Sequence, residues 1–187
     1  MDDRQWIERA RRGDLSAYDE LVRAHQEAAF RAAYLITRDA ADAQDAAQEA
    51  FIRAYDALGR FDARRPFRPW LLRIVTNTAL NRIKAAQRRQ AMAERFGAQD
   101  MPGQSSPAIE AHVLRRERSR RVLDAIGHLK PDDQRLIVLR YFLELSEAEL
   151  AQAFDVAAGT IKSRLHRALA KLRDAIRAHD PDLLESR

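Results

Sequence analysis

The sequence predicts an all-α protein of two small helical domains joined by a flexible linker, the C-terminal one built around a helix-turn-helix. Three observations carry this. Long stretches of the 187 residues are Ala, Leu, Arg, Glu and Gln, which are strong helix formers, with only six glycines and six prolines. Strand-like runs of β-branched residues bounded by turn residues are missing. Apolar residues recur every three and four positions on both sides of residues 101–107, where Pro, Gly and Ser crowd together and the helical period lapses. The expected division is a first domain over 1–91, a linker over 92–111 and a second domain over 112–187.

In the first domain, Ser16 with Asp19 three residues on reads as a capping box, opening a helix that turns Tyr18, Leu21, Val22, Ala28, Ala29, Ala32 and Leu35 inward and ends near Thr37. Asp39 caps the next helix, whose stripe is Ala47, Ala50, Phe51, Ala54, Tyr55 and Leu58, with Gly59 at its end. Pro69 suits a first helical turn, so a third helix is expected over about residues 70–89. In the second domain, Leu114, Val122, Leu123 and Ile126 mark a charged helix over about residues 110–126, with Gly127 at its end. Pro131 opens a short one containing Leu136, Ile137, Leu139 and Tyr141. Ser146 and Glu149 form a second capping box, and the last helix covers about residues 159–178.

Composition narrows the function. With no cysteine, disulfide frameworks and thiolate metal sites are excluded. The start, Met1-Asp2-Asp3-Arg4, lacks a signal-peptide core, and no stretch approaches about 18 uncharged apolar residues, so a cytoplasmic chain without membrane insertion is expected. A formal charge of +5 and a pI near 9.9 point to a polyanionic partner.

Three constellations are informative. Leu150, Ala151, Phe154, Val156 and Ile161 have the spacing at which a helix-turn-helix buries its joint, with Asp155 at the turn position that favours a left-handed backbone. The helix that follows offers Thr160, Lys162, Ser163, Arg164, His166 and Arg167 to the major groove of duplex DNA. A second basic region, residues 60–90, has nine Lys or Arg against Asp62 alone, with Phe61, Phe67 and Trp70 interleaved. Aromatic stacking plus cations suits unpaired DNA, and Arg73, Asn77 and Asn81 follow at four-residue intervals on one helical face. The alternative is that Phe61, Phe67 and Trp70 are core, and for Trp70 that reading weighs at least as much. The third constellation is acidic. Asp42, Asp45 and Glu49 share a helical face beside Gln48, which reads as a protein-docking surface; no Glu-x-x-His pair accompanies them, so no metal and no other cofactor is expected.

These residues resemble those of the sigma-70 family of RNA polymerase sigma factors, in its small extracytoplasmic-function group. Asp45-Ala46-Ala47-Gln48-Glu49-Ala50-Phe51 is similar to the core-polymerase-binding helix of the family, and the run from Pro69-Trp70-Leu71-Leu72-Arg73 to Asn77-Thr78-Ala79 to its promoter-melting helix. Leu129-Lys130-Pro131, Leu139-Arg140-Tyr141 and the run 159–165 resemble its minus-35-binding domain. The resemblance implies that Asp45, Gln48 and Glu49 dock the beta-prime coiled coil of core RNA polymerase, whose beta subunit is a further contact. It implies that Phe67, Trp70, Arg73, Asn77 and Asn81 engage the exposed minus-10 strand of promoter DNA, and that Lys162, Ser163, His166 and Arg167 read the minus-35 duplex. It also implies an anti-sigma factor as a controlling partner, and no enzymatic activity in the chain itself. Two other readings compete: a repressor or activator using the helix-turn-helix alone, and a metal-dependent nuclease built on Asp42, Asp45 and Glu49.

Overall fold

The computed structural model describes residues 2–95 and 110–185. Helices α1 (Asp3–Arg11), α2 (Leu15–Thr37), α3 (Ala40–Ala57) and α4 (Phe67–Arg95) form one group. The second comprises α5 (Glu110–Gly127), α6 (Pro131–Ile137), α7 (Glu147–Phe154), α8 (Ala158–His179) and the short α9 (Asp182–Glu185). The side-chain caps at Asp39 and Ser146 are made as expected. The Asp39 carboxylate accepts from the Asp42 amide at 2.8 Å. Ser146 and Glu149 satisfy each other's backbone amides at 3.2 and 2.8 Å, a complete capping box.

Three features depart from expectation. Helix α1 was not foreseen, although Ile7 and Ala10 share its buried face. Asp14, not Ser16, caps α2: its carboxylate accepts from the Ala17 amide at 3.2 Å while Arg9 holds it at 2.9 Å. A charged acceptor at a helix N-terminus outcompetes a hydroxyl placed one turn position too late. Helix α4 begins at Phe67 and continues to Arg95, past the boundary expected at 91; residues 90–95 contain no Gly or Pro to stop it. Helix α5 begins at Glu110, where the charged helix was expected. The turn-rich residues 101–107 lie outside the described ones.

Small side chains set the packing of the first group. Ala29, Ala32 and Ala33 of α2, Ala43, Ala46, Ala50 and Ala54 of α3, and Ala79 of α4 are fully buried, which lets the three backbones approach closely. Leu21, Leu71, Leu72 and Val75 fill the remaining space. Tyr18 is buried among them and donates its hydroxyl to the Phe51 carbonyl at 2.5 Å. Burial, followed by the Asp56 charge, pushes its phenol above the ordinary range.

In the second group Leu136, Ile137, Val138, Leu139 and Leu145 pack behind the helix-turn-helix. The stretch Val138–Phe142 forms a π-helical turn, and Tyr141 faces solvent. Leu150 and Ile161 are fully buried and Ala151 nearly so, with Phe154 and Val156 half-buried around them. Asp155 adopts the left-handed conformation that the turn requires (φ 54°, ψ 50°), so the predicted joint is formed.

The two groups share a continuous buried cluster. Arg38, itself left-handed at the end of α2, reaches α5 and donates to the Asp124 carboxylate at 2.5 and 2.7 Å and to the Arg120 carbonyl at 3.1 Å.

The loop between α3 and α4 is fixed from beneath by α1. Arg4 donates to the Ala63 carbonyl at 3.0 Å, and Arg11 to the carbonyls of Leu58, at 3.0 Å, and Phe61. Within the loop, Asp62 accepts from the Arg64 amide and its guanidinium at 3.0 Å each. These bonds hold the Asp62 carboxyl down at about 2, against an ordinary 3.8.

Two outcomes follow from this packing. Leu150→Ala removes a fully buried side chain at the helix-turn-helix joint and is expected to cost about 2–5 kcal/mol, read from the midpoint of urea unfolding. Because the Asp62 carboxyl is depressed in the folded state, its support of the loop is complete above about 3.8 and lost as the pH falls through about 2. An NMR titration of the Arg64 amide should show that step, and Asp62→Asn should abolish it.

Candidate docking face and nucleic-acid surfaces

Helix α3 buries its alanine stripe against α2 and α4, which turns Asp42, Asp45, Gln48 and Glu49 outward. Gln48, Asp42 and Asp45 are exposed, and Glu49 is half-buried. The face carries compensation that a count along the chain missed. Arg82 of α4 reaches across and places its guanidinium 2.8 Å from Asp45, 3.2 Å from Asp42 and 3.9 Å from Glu49. Arg53 binds Glu49 at 2.6 Å. Three carboxylates therefore face two guanidiniums, so the surface is less electronegative than residues 39–57 alone suggest. Its carboxylates are held in register by a cation from the neighbouring helix, and hydrogen-bonded Asp42, then the Asp45 charge, raises the Arg82 guanidinium above its ordinary range. The carboxylates of the metal-nuclease reading are thus engaged with arginine.

The second surface is α4 and the loop before it, and here the structure corrects the aromatic reading. Phe67 is 1% exposed and Phe61 5%. Phe67 contacts the rings of His25, Phe61 and Trp70 within the core, so it has no face free for a base. It instead fixes the start of α4, and Phe61 fixes the loop. Trp70 is half-buried, 4.6 Å from Phe61 between ring centroids, and lines an open cavity of about 320 Å³ with Arg65, Pro69 and Arg73. Arg73 and Asn77 are half-buried on the same side of the helix; Asn81 is exposed. Thr76, one position from Asn77, is turned inward and satisfies its hydroxyl on the Leu72 carbonyl at 2.8 Å.

The third surface is the outer side of α8. Leu165 and Ala168 anchor the helix, which leaves Lys162, Ser163, His166 and Arg167 exposed and Thr160 and Arg164 half-buried. Ser163 and Arg167 are steadied by their own helix: the Ser163 hydroxyl donates to the Thr160 carbonyl at 3.0 Å, and Arg167 Nε donates to the Ser163 carbonyl at 3.2 Å. Lys171, a turn further on, is tied to Asp133 at 2.6 Å. The result is a cationic ridge on the second helix of a helix-turn-helix, carrying the kinds of donor that a major groove admits.

Sequence reasoning did not find the residues that hold these surfaces: Arg4 and Arg11 under the loop, and Arg82 under the acidic face. For α1 the signal was present, since Ile7 and Ala10 recur at helical spacing with Arg4 and Arg11 beside them. For Arg82 there was none, because pairing between α3 and α4 is a property of their crossing.

Comparison with known proteins agrees with this architecture. The profile for Sigma-70 region 2 matches residues 21–89, covering α3 and most of α2 and α4, and that for Sigma-70, region 4 matches residues 119–172, covering the helix-turn-helix. The chain is 36% identical over 180 residues to the RNA polymerase sigma-H factor of Pseudomonas aeruginosa, with 93% of each chain covered. It is 32% identical over 177 residues to the ECF RNA polymerase sigma factor SigW of Bacillus subtilis, covering 91% of this chain and 95% of that one. Its fold is similar to a solved structure of CnrH in complex with the cytosolic domain of CnrY, with a TM-score of 0.63, 28% identity and coverage of 95% of this chain and 99% of that one. With both halves matched in order and more than nine-tenths of the length shared, the chain belongs to the extracytoplasmic-function group of the sigma-70 family of RNA polymerase sigma factors.

Proposed function

We propose that this sigma factor divides its work among the three surfaces, with α1–α4 acting as one domain and α5–α9 as the other. Asp45, Gln48 and Glu49 on α3 dock the beta-prime coiled coil of core RNA polymerase. Trp70, Arg73, Asn77 and Asn81 on α4 hold the separated minus-10 strand, Trp70 by stacking and the others by hydrogen bonding. Phe67 acts through packing alone. Lys162, Ser163, His166 and Arg167, with Thr160 and Arg164 at the edge, read the minus-35 duplex in the major groove.

The observation that carries this is the segregation of charge on separate helices: an acidic face on α3, a half-buried polar and cationic side of α4, and an exposed cationic face on α8. A repressor using α8 alone leaves the Asp42, Asp45 and Glu49 face without a role. The bond-forming chemistry of transcription belongs to the polymerase, and this chain supplies recognition. Among the described residues no helix is long and apolar enough to cross a membrane. Action in the cytoplasm, where the polymerase works, is part of the proposal, and so is control by an anti-sigma factor, since CnrH was solved with the cytosolic domain of CnrY.

Core polymerase with this protein is expected to give a start-site-specific transcript from a template carrying its promoter, and core alone none; the absence of a specific transcript would overturn the proposal. Glu49→Lys should weaken polymerase binding in a pull-down while binding of the full chain to minus-35 duplex stays unchanged. Arg167→Ala should show the opposite pattern. A loss of about 1–3 kcal/mol confined to the preferred sequence marks a base contact, and a uniform loss across sequences marks a phosphate contact.

A further inference from the structure

The loop that leads into α4 has no helix or strand to hold its main chain. After the 3-10 turn Leu58–Arg60, residues 61–66 cross from one helix to the next, closed by main-chain bonds from Phe61 N to Leu58 O at 3.1 Å and from Arg65 N to Asp62 O at 2.9 Å. Carbonyls in such a segment need donors from elsewhere, and α1 supplies them. Arg11 donates through Nε to the Leu58 carbonyl at 3.0 Å and through Nη2 to the Phe61 carbonyl. Arg4 donates through Nε to the Ala63 carbonyl at 3.0 Å and through Nη2 to the Arg64 carbonyl at 3.5 Å. The helix that carries these arginines is itself anchored. Ile7 and Ala10 are buried, and Asp3 lies 3.0 Å from His25, whose ring meets Phe67 at the start of α4. The gripped loop matters because Arg60, Phe61, Asp62 and Arg65 line the same cavity as Trp70 and Arg73. Helix α1 precedes the segment 21–89 matched by the Sigma-70 region 2 profile, and the division of work among three surfaces leaves it without a task.

From this we infer that Arg11 and Arg4 are positioning residues for strand capture, which act by holding the loop wall of the Trp70 cavity in shape before DNA arrives. The inference rests on the assignment of Trp70 and Arg73 to the minus-10 strand and adds α1 to that machinery. A loop without these donors has to be ordered as the strand enters, and the entropy of that ordering is subtracted from binding. Arginine suits the task because one planar fork of donors satisfies two carbonyls at once, whereas an ammonium is a single point of charge. Arg11 thus fixes both the residue that ends the 3-10 contact with α3 and the aromatic that packs on Trp70.

The test separates positioning from plain stability and from direct contact with DNA. Holoenzyme assembled from core polymerase and the full chain is titrated with a fluorescein-labelled single-stranded oligonucleotide of mixed sequence at several salt concentrations, with core polymerase alone as the blank. Arg11→Ala is expected to weaken strand binding about fivefold through lost preorganisation, with the slope of log affinity against log salt unchanged, because Arg11 neutralises no phosphate. Arg11→Lys should recover part of the loss. Arg9→Ala serves as the control: it breaks the 2.8 Å pair with Asp14 on the same helix without touching the loop. It is expected to lower the thermal midpoint of the free chain and leave strand affinity at the wild-type level. The positioning role is overturned if Arg11→Ala binds the strand as the wild type does, or if Arg9→Ala loses as much affinity. A salt slope reduced by about one would make Arg11 a phosphate ligand and overturn it as well. Should Trp70→Ala leave strand binding by the holoenzyme intact, it is the strand-capture assignment that fails instead.

Discussion

The structure depends on the two-sidedness of α4. One side, Leu71, Leu72, Val75 and Ala79, is locked into the alanine-rich seam with α2 and α3, where close backbone approach leaves almost no room for adjustment. The other side is lined with guanidinium and amide groups that solvate poorly when left without acceptors in a half-buried setting. Because the inner side cannot rotate, the outer side is presented at a fixed angle. Arg82 on the same helix pairs with the carboxylates of α3, so one helix sets the geometry of both the acidic face and the polar side of α4.

Much of this was legible in the residues. The spacing of Leu150, Ala151, Phe154, Val156 and Ile161 located the helix-turn-helix, since five apolar positions at those intervals have few other ways to be buried together. Ser146 and Glu149, and Asp39, placed helix starts within a residue because a capping bond is local and its partners are fixed by the sequence. The outward side of α8 followed from the same logic, with the buried positions Leu165 and Ala168 leaving Lys162, His166 and Arg167 nowhere else to point.

What was not legible depended on the crossing of elements distant in the chain. Composition marks Phe61 and Phe67 as aromatic neighbours of arginine, and this is equally true of a stacking platform and of a core. Only the arrival of α1 and His25 against them decides for the core. The neutralisation of the α3 carboxylates was not legible because Arg82 lies more than thirty positions away and joins them only when α4 lies alongside. The Ser16 cap failed for a smaller reason: Asp14, two residues earlier, is the stronger acceptor and is steadied by Arg9.

The left-handed residue at the helix-turn-helix has a consequence for how such a protein can change over generations. Asp155 occupies a backbone conformation that glycine adopts without penalty, yet only a side chain can reach Arg65. Every aspartate codon lies one base change from a glycine codon. The pairing between the halves of the molecule at this point is thus separated by a single inherited step from a form that lacks it and whose turn is easier to fold, with the outer side of α8 left unchanged.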